Sequence, residues 1–369
     1  MSGKNKDLIV KALLKFFTIV FSFLFVCSEL GNAQNIEEKK LTEIHKWWLE
    51  RYPTKPLKSP DEKKLSLIEV KGNRFINSKG DTILFRGLSI GDPDKLESEG
   101  HWNKDLFIKA KDLGTMLIRI PVHPVAWRER TPKKYLKLLD QAAEWCTELG
   151  MYIDIDWHTI GNLQLGLFQD PMYETSEPET FNFWGIIAAH FAGNYTIAFY
   201  ELFNEPTGYF GKLGPISWDF WKKTNEDLIQ LIRAYDQETI PLVAGFDWAY
   251  DLTPLHIAPI NAERIGYVTH PYPNKRSQPW VPKWEEDFGF AAEKYPVIAT
   301  EIGFATRDSS VKNEYGKEII SYLEGKEISW LWWVFDPEWY PHMFESWDSF
   351  KLTESGEFYK MAAQGKVSK

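Results

Sequence analysis

The sequence has 369 residues, a formal net charge of −9 and an aromatic content of 15%, with 17 tryptophans. The negative charge disfavours nucleic acid and anionic surfaces as partners. The length fits either two domains or one large α/β barrel, and it is ample for a stable hydrophobic core.

Residues 1–33 have the layout of a secretory signal peptide. Lysines precede an apolar run at 16–26, and Gly31-Asn32-Ala33 supplies the small residues that a signal peptidase requires, so we expect cleavage after Ala33. The apolar run is too short for a comfortable membrane span. The sequence therefore predicts a mature chain without a membrane span, secreted to the extracellular space or the periplasm. A lipid anchor on Cys27 is the alternative, and the bulky Val26 before it argues against that anchor.

Residues 34–65 are charged and contain Pro53, Pro56 and Pro60, and they predict an N-terminal arm that lies against the main body. The segment 68–76 alternates apolar and polar residues and turns at Gly72-Asn73. This pattern predicts a β-hairpin that caps the bottom of a larger fold.

From residue 83 onward, short apolar runs alternate with helical patterns. Helices are predicted at 104–113, 131–149, 178–191, 218–235, 283–294 and 313–325. Eight strands are predicted at 83–90, 115–121, 151–157, 196–200, 241–246, 264–269, 297–300 and 328–335. Eight strands alternating with helices are typical of one architecture. The sequence predicts an α/β fold, a single (β/α)8 TIM barrel over 66–369 with an N-terminal capping hairpin.

Cys146 is the single cysteine left after the expected cleavage, so no intramolecular disulfide is predicted. It lies in the clearest helical pattern, which Thr131 would cap and Gly150 would end. The apolar stripe of that helix predicts that Cys146 is a buried small hydrophobe and not a nucleophile.

Polar and aromatic side chains lie at or near the ends of the predicted strands. In a (β/α)8 barrel, function lies where the strands lead into the βα loops. Each residue has an ordinary structural explanation by itself, but their convergence on one face predicts a functional site. The candidates in chain order are Arg119, His158, Asn204, Glu205, Trp248, His270, Tyr272, Glu301 and Trp333.

Glu205 and Glu301 follow the fourth and seventh predicted strands, which are well placed to face each other across the barrel mouth. Pro206 should end the fourth strand, and apolar surroundings there would raise the pKa of Glu205, as suits a proton donor. Glu301, kept ionised by Arg119, suits a nucleophile at a sugar carbon. Retaining chemistry predicts carboxyl groups about 5–5.5 Å apart, and inverting chemistry about 6.5–9.5 Å.

Three other candidates fit a sugar site around these carboxylates. Tyr272 is placed to donate a hydrogen bond to Glu301. Asn204 is placed to bind a sugar 2-hydroxyl, and Trp333 to stack on a sugar ring.

Six motifs resemble, in order and spacing, those of glycoside hydrolase family 5, the cellulase family. They are Leu117-Ile118-Arg119, Asp156-Trp157-His158, Asn204-Glu205-Pro206, His270-Pro271-Tyr272, Thr300-Glu301-Ile302-Gly303 and Ser329-Trp330-Leu331-Trp332-Trp333. The resemblance implies a retaining hydrolase of β-linked polysaccharide that uses no metal or other cofactor. It implies Glu205 as acid/base and Glu301 as nucleophile. It also implies a substrate-binding shell of Arg119, His158, Asn204, His270, Tyr272 and Trp333, with Trp248 at a sugar-stacking position.

Two departures from the family pattern leave the substrate open. The turn at 89–93 lacks the commoner asparagine, and Trp332 and Val334 stand where many cellulases carry Asn and Ser. The prediction is an exported, monomeric, endo-acting hydrolase of β-1,4-glucan. The alternatives are a β-mannanase, a hydrolase of xyloglucan or another β-glucan, and an exo-β-glycosidase on the same machinery.

Long segments at 159–177 and 336–350 are predicted to shape the cleft. The second segment holds Trp339, Tyr340, Phe344 and Trp347, which form either an aromatic floor or a hydrophobic lid packed on the barrel.

Two other classes of protein remain as alternatives. A metal-dependent hydrolase using His123, His158 and His270 is disfavoured because no early His-x-His pair is present. A carbohydrate-binding protein without catalysis is disfavoured because both glutamates are present.

Overall fold

The computed structural model describes residues 47–50, 52–58, 64–208, 212–304 and 312–367. The predicted signal peptide lies outside these ranges, as does most of the predicted arm. Residues Trp48–Lys369 form one unit, and the other unit, Met1–Trp47, contributes only Trp47 to the described residues. None of the helices in the described ranges is both long and apolar enough to cross a membrane.

The described strands begin with two short ones and continue around the molecule. They are β1 (Glu69–Lys71), β2 (Arg74–Ile76), β3 (Arg86–Ile90), β4 (Leu117–Val122), β5 (Tyr152–Trp157), β6 (Ile160–Asn162), β7 (Leu167–Phe168), β8 (Ile197–Glu201), β9 (Glu205–Pro206), β10 (Ile240–Ala244), β11 (Gly266–Val268), β12 (Val297–Ile302) and β13 (Ser329–Phe335).

Eight parallel strands close into a barrel in the order β3, β4, β5, β8, β10, β11, β12 and β13. Every residue of β4, β8, β10, β12 and β13 is buried. Parallel strands covered on both faces read as continuous apolar runs, which is why the sequence pattern revealed them. The predicted (β/α)8 barrel is confirmed, with strand ends that differ from the predictions by a few residues.

The described helices surround the barrel. They are α1 (Pro93–Ser98), α2 (Lys104–Asp112), α3 (Pro124–Leu149), α4 (Glu177–Phe191), α5 (Trp218–Arg233), α6 (Phe246–Ala249), α7 (Val281–Asp287), α8 (Lys312–Gly325) and α9 (Glu354–Ala363). Helix α3 starts seven residues before the predicted start, and a left-handed residue, Thr131 with φ 70°, interrupts it there. Cys146 is fully buried in α3, as predicted, and burial raises the pKa of its thiol. Helices α1, α6 and α9 were not predicted.

The predicted hairpin is present as β1 and β2, which pair antiparallel with Glu69 opposite Ile76. Phe75 on β2 is buried, and its ring centroid lies 4.9 Å from that of Phe199 in β8 and 6.5 Å from that of Phe85, just before β3. The hairpin therefore closes the end of the barrel where the strands begin, opposite the βα loops.

The segment 159–177 is not structureless. Its strands β6 and β7 pair antiparallel, and β9 joins β6 in parallel, so that Ile160 lies opposite Glu205. A 3-10 turn, Pro171–Tyr173, follows. This small sheet stands beside the barrel mouth and carries Glu205.

The described part of the predicted arm contacts helix α4. Asn182 Nδ2 donates a hydrogen bond to the carbonyl oxygen of Trp48 at 2.7 Å, and Leu57 N donates to that of His190 at 2.7 Å. The boundaries of the arm and the signal peptide stay predictions.

Candidate active site

Arg119, fully buried in β4, stands at the centre of the site. Its Nε and Nη2 donate to the two carboxylate oxygens of Glu201 at 2.7 and 2.8 Å. Its Nη1 donates to Glu301 Oε1 at 2.7 Å, and Nη2 also donates to Asn204 Oδ1 at 2.7 Å. Burial lowers the pKa of Arg119, but Asp156, Glu201 and Glu301 outweigh burial and raise the pKa well above its ordinary range. Arg119 is therefore a cation that links β4, β8 and β12.

Glu201, the last residue of β8, belongs to this cluster although the sequence argument missed it. The sequence prediction places Asn204 and Glu205 at the end of the fourth strand and does not consider the acid directly after the apolar run 196–200. Burial raises the pKa of Glu201, but Arg119 and His270 outweigh burial and lower the pKa to about 2. Glu201 is thus an ionised, fully buried partner that fixes the direction of the Arg119 guanidinium. An acid that ends an otherwise apolar strand was the signal that could have found it.

Glu205 lies four residues beyond the end of barrel strand β8, not at the strand end as predicted. It begins β9, which pairs with β6 outside the barrel. Its side chain is 13% exposed and its Oε1 lies 3.0 Å from His270 Nδ1. The apolar surroundings expected from the sequence are replaced by a polar contact with an imidazole.

Glu205 and Glu301 approach each other over the barrel mouth. One carboxylate oxygen from each residue and one ring nitrogen of His270 all lie within 4.8 Å of one another. This spacing fits the carboxyl separation of about 5–5.5 Å in retaining enzymes better than the about 6.5–9.5 Å in inverting enzymes. Tyr272 Oη donates to Glu301 Oε2 at 2.9 Å, so Arg119 and Tyr272 hold the two oxygens of Glu301 separately.

The electrostatics of Glu301 differ from the expectation that Arg119 alone keeps it ionised. Burial raises the pKa of Glu301, while the positive charges of His270 and Arg119 oppose the rise and Glu205 adds to it. The net pKa lies above the ordinary glutamate value because the loss of hydration outweighs the two cations. Glu301 therefore ionises at a higher pH than an exposed glutamate.

His270 follows β11 and connects the two glutamates electrostatically. Burial lowers the pKa of His270, but Glu301, Glu201 and Glu205 outweigh burial and raise the pKa to about 9. As an imidazolium it donates from Nδ1 to Glu205 and from Nε2 to Thr300 Oγ1, which lies at 2.9 Å. The Thr300 hydroxyl in turn donates to Glu201 Oε1 at 3.1 Å. The histidine therefore has both ring nitrogens engaged and its plane fixed.

Asn204 presents a free amide donor beside Glu301. Because Arg119 carries only donors, the oxygen of the Asn204 amide must face it. The Nδ2 atom is buried and has no hydrogen-bond partner among the described residues. An unpartnered buried donor is costly unless a ligand satisfies it, and a sugar hydroxyl is a suitable acceptor.

His158 follows β5 and is held by Asp156, with 2.6 Å between His158 Nδ1 and Asp156 Oδ2. Burial, reinforced by the charges of His123 and Arg119, lowers the pKa of His158 well below its ordinary value. The ring is therefore neutral, and it donates from Nδ1 to Asp156 and keeps Nε2 as an acceptor. His123 lies beside it with ring centroids 4.7 Å apart, and its Nδ1 is 2.8 Å from Asp92 Oδ2.

An aromatic platform lines the cleft next to Glu301. The Trp333 ring lies parallel to that of His158, with centroids 5.4 Å apart, and to that of Trp339, with centroids 5.7 Å apart. Trp333 keeps 9% of its surface exposed, enough to present a ring edge or face to a ligand. The sequence predicts Trp339 only as part of an aromatic floor or a hydrophobic lid.

The segment 336–350 divides between those two interpretations. Trp339 and Tyr340 line the cleft, as an aromatic floor would. Phe344 is fully buried, and Trp347 packs against it with a centroid distance of 5.1 Å and stacks on His101 at 4.0 Å. The first two residues therefore face the cleft and the last two pack on the barrel.

The cleft consists of two adjoining cavities that share Glu205, Tyr272 and Tyr340. The Glu301 lobe has a volume of about 480 Å³ and is also lined by Asn204 and Trp333. The Trp248 lobe has a volume of about 880 Å³ and is also lined by Gln169 and Lys275. The nine candidate residues thus all belong to one end of the barrel, with Trp248 in a different lobe from Glu301.

Metal-ligand chemistry is available from Glu205, His270 and Glu301, the group whose donor atoms converge in the described part of the chain. These donors already hydrogen-bond to one another or to their neighbours. Within the described ranges, the set of His123, His158 and His270 considered from the sequence is not such a converging group.

Comparison with known proteins agrees with this architecture. The family model "Cellulase (glycosyl hydrolase family 5)" matches residues 76–338. A β-glucanase from Saccharophagus degradans has a crystal structure that is 43% identical in sequence, with a TM-score of 0.81, and the match covers 87% of this chain and 99% of that one. The same β-glucanase has been solved in complex with cellotetraose.

Two curated relatives are more distant. Endoglucanase E-5 from Thermobifida fusca is 25% identical over 283 residues, covering 73% of this chain and 56% of that protein. Endoglucanase MaCel5A from Microbulbifer sp. is 24% identical over 286 residues, covering 73% of this chain and 51% of that protein. The chain spans about half the length of these curated relatives. With its barrel and its matched region, this chain belongs to glycosyl hydrolase family 5, the cellulase family.

Proposed function

We propose that this protein is a retaining, endo-acting glycoside hydrolase that cleaves β-1,4-glucan by double displacement. The observation that carries the proposal is the approach of Glu205 and Glu301 to within 4.8 Å over an open cleft. Membership of the cellulase family and the names of its relatives, two endoglucanases and a β-glucanase crystallised with cellotetraose, support the substrate.

In the first step, Glu301 attacks the anomeric carbon of the sugar in the Glu301 lobe, and Glu205 gives its proton to the departing glycosidic oxygen. The leaving chain exits through the Trp248 lobe. In the second step, Glu205 removes a proton from water, the water oxygen attacks the anomeric carbon, and the ester bond to Glu301 breaks. The product keeps the configuration of the substrate.

The other side chains have supporting roles in this proposal. Arg119 and Tyr272 orient Glu301, and His270 orients Glu205. Asn204 Nδ2 donates to the 2-hydroxyl, a contact that strengthens in the transition state. Four residues would contact sugar rings or hydroxyls directly. In the Glu301 lobe they are His158, Trp333 and Trp339, and in the other lobe it is Trp248.

The proposal also includes export and a monomeric state. The predicted signal peptide supports export, and N-terminal sequencing of the exported protein should find Gln34 as the first residue. Size-exclusion chromatography with light scattering tests the monomer.

Substitution of the acid/base tests the chemistry. Glu205→Gln should lower hydrolysis of unactivated glucan by several orders of magnitude, because the leaving oxygen no longer receives a proton. It should spare formation of the glycosyl-enzyme from a dinitrophenyl glycoside, whose leaving group needs no acid. Glu301→Gln should abolish both reactions. An equal loss on both substrates in Glu205→Gln would contradict the assignment.

Product analysis tests the substrate and the mode of attack. Incubation with cellulose oligomers, mixed-linkage β-glucan, mannan and xyloglucan should give the highest rate on a β-1,4-glucan, with internal cuts early in the reaction. The first-formed anomer, read by NMR, should be β. A non-cellulosic β-glucan remains the second candidate because the 43%-identical relative carries the broader name β-glucanase.

A further inference from the structure

The short element α6 (Phe246–Ala249), which follows β10, is a left-handed turn and not a right-handed helix. Three consecutive residues, Asp247, Trp248 and Ala249, have φ values of 56°, 56° and 59°, and none is a glycine. The left-handed region is unfavourable for residues with a Cβ, and several in succession are rare outside functional sites. Such a segment persists only when its surroundings hold it.

Backbone contacts hold both ends of this left-handed turn. Phe246 and Asp251 exchange two backbone hydrogen bonds, at 2.9 and 2.8 Å. His270 N donates to the carbonyl oxygen of Ala249 at 3.1 Å, which ties the turn to the residue that orients Glu205. In the middle of the turn, the Asp247 carbonyl oxygen accepts from Tyr250 N at 3.4 Å, and the Asp247 carboxylate lies 3.5 Å from Arg276 Nη1.

Lys275, on the loop after β11, makes a shorter contact with Asp247 than either of these and also contacts Trp248. Its side chain is 13% exposed, and its Nζ donates to the carbonyl oxygen of Asp247 at 2.5 Å. The same Nζ lies over the Trp248 ring, 5.0 Å from the centroid. A cation at this distance from an indole face is attracted to it. Lys275 therefore contacts the turn at three points, which are the Asp247 carbonyl oxygen, the Asp247 carboxylate at 4.0 Å and the Trp248 ring.

The orientation of Trp248 is fixed by these contacts. Its Nε1 donates to Gln169 Oε1 at 3.2 Å, across the Trp248 lobe. Its half-buried ring lines that lobe next to Glu205. A ring fixed on two sides can act as a rigid surface for a sugar, since little side-chain freedom is lost when the sugar binds.

We propose that Lys275 is a positioning residue, which holds the left-handed turn so that Trp248 supports the sugar that departs with the leaving chain. The inference rests on the proposed function, because that function makes the Trp248 lobe the leaving-group side. Lys275 acts through Trp248 and takes no part in the bond changes.

The test compares two substrates that differ in what occupies the Trp248 lobe. Cellotetraose places sugars there, whereas β-cellobiosyl fluoride has a leaving group without a ring. Lys275→Met keeps the alkyl stem and removes the donor and the charge. It should lower kcat/KM on cellotetraose about tenfold, as expected for the loss of one ring stack. On the fluoride, kcat/KM should change less than about twofold.

A double-variant cycle separates positioning from a general structural role. Trp248→Ala should reproduce the selective loss on cellotetraose, and the double variant should lose no more than Trp248→Ala alone. Lys223→Met, which removes an exposed lysine paired with Asp227 on α5, is the matched control and should behave as the parent on both substrates.

The possible outcomes distinguish a failure of the Lys275 positioning role from a failure of the proposed hydrolase function. Equal losses on both substrates in Lys275→Met, or independent losses that add in the double variant, would overturn the positioning role and leave the hydrolase intact. A parent protein that cleaves neither substrate would overturn the proposed function.

Discussion

At the scale of single residues, the site is built around one buried cation, Arg119, that is paired with buried carboxylates. Arg119 meets Glu201 through two hydrogen bonds and Glu301 through one. A buried charge is tolerable when it is paired and hydrogen-bonded. The pairing of Arg119 with Glu201 therefore stabilises the barrel as well as fixing the guanidinium that orients the proposed nucleophile, Glu301.

Substitution of Glu201 should expose this requirement. Glu201→Gln leaves Arg119 with one fewer buried partner, so the free energy of unfolding should fall by about 3–5 kcal/mol. Activity should fall as well, because the guanidinium that holds Glu301 is no longer fixed. Urea denaturation at pH 7 and kcat measure the two effects. The control is Glu345→Gln, which breaks an exposed pair with Lys351 and should cost about 0–1 kcal/mol; a similar loss in both variants would contradict the argument.

The pH dependence of activity should report the environment of Glu301. Since its pKa is raised by burial, the acid limb of kcat/KM should lie above that of an ordinary glutamate. Tyr272→Phe removes a donor to the ionised carboxylate and should move that limb to still higher pH. Tyr152→Phe, which loses a 2.9 Å hydrogen bond to Ser66 at the other end of β5, should leave the limb unmoved. A limb that stays in place in Tyr272→Phe would count against Glu301 as the group that titrates.

At the scale of elements, short segments outside the barrel aim the functional side chains. Strand β9 carries Glu205, and its pairing with β6 fixes the position of that residue. The left-handed turn after β10 carries Trp248. The turn before Trp339 is closed by Asp336, whose Oδ1 accepts from the backbone N of Glu338 and of Trp339 at 2.7 and 3.1 Å. Each of these segments is short, and each is held in place by contacts with a neighbouring element.

Helix α1 anchors the Trp339 turn through Lys95. Its Nζ lies 2.9 Å from Asp336 Oδ2, and the Asp336 side chain is fully buried. Lys95→Met should leave that carboxylate unpaired and loosen the turn, so KM for gluco-oligosaccharides should rise about tenfold, the value of one aromatic stack. Steady-state kinetics on cellotetraose measure the change, with Lys95→Arg expected to restore most of the affinity. A fall in kcat with unchanged KM would refute this role for the turn.

At the scale of the whole molecule, stability and pH are linked through the same buried cluster. The pKa of His270 is raised to about 9 by Glu301 and the neighbouring glutamates, against the effect of burial. A histidine in the unfolded chain titrates near about 6.5. Its contribution to stability is therefore fully present below about pH 6.5 and is lost as the pH rises through about 9.

Chemical denaturation across that window should detect the loss. The free energy of unfolding of the parent should fall by about 3 kcal/mol between pH 6.5 and pH 9.5 through this group. His270→Gln cannot titrate and should have a flatter profile over the same range. His256→Gln, at an exposed position, should keep the slope of the parent. Parallel profiles for the parent and His270→Gln would show that the cluster does not bind the proton.

From the sequence alone, the barrel, the family and most of the residues at the barrel mouth could be predicted, although Glu201 was missed. Strands buried on both faces leave continuous apolar runs, and residues at their carboxyl ends must gather at one mouth, so Arg119, His270 and Glu301 could be grouped without coordinates. The roles of those residues stay predictions. The contact between Arg119 and Glu201 could not be predicted, since it joins positions 82 residues apart and depends on which strands become neighbours at closure.

The remaining details depend on the folded structure. It placed Glu205 on β9, beyond the end of barrel strand β8, and it divided the aromatic segment so that Trp339 faces the cleft and Phe344 is buried. It also brought Lys275 against Trp248. Local periodicity reports how deeply a residue is buried, whereas pairing between distant residues and loop conformation depends on the closed barrel and the packing around it.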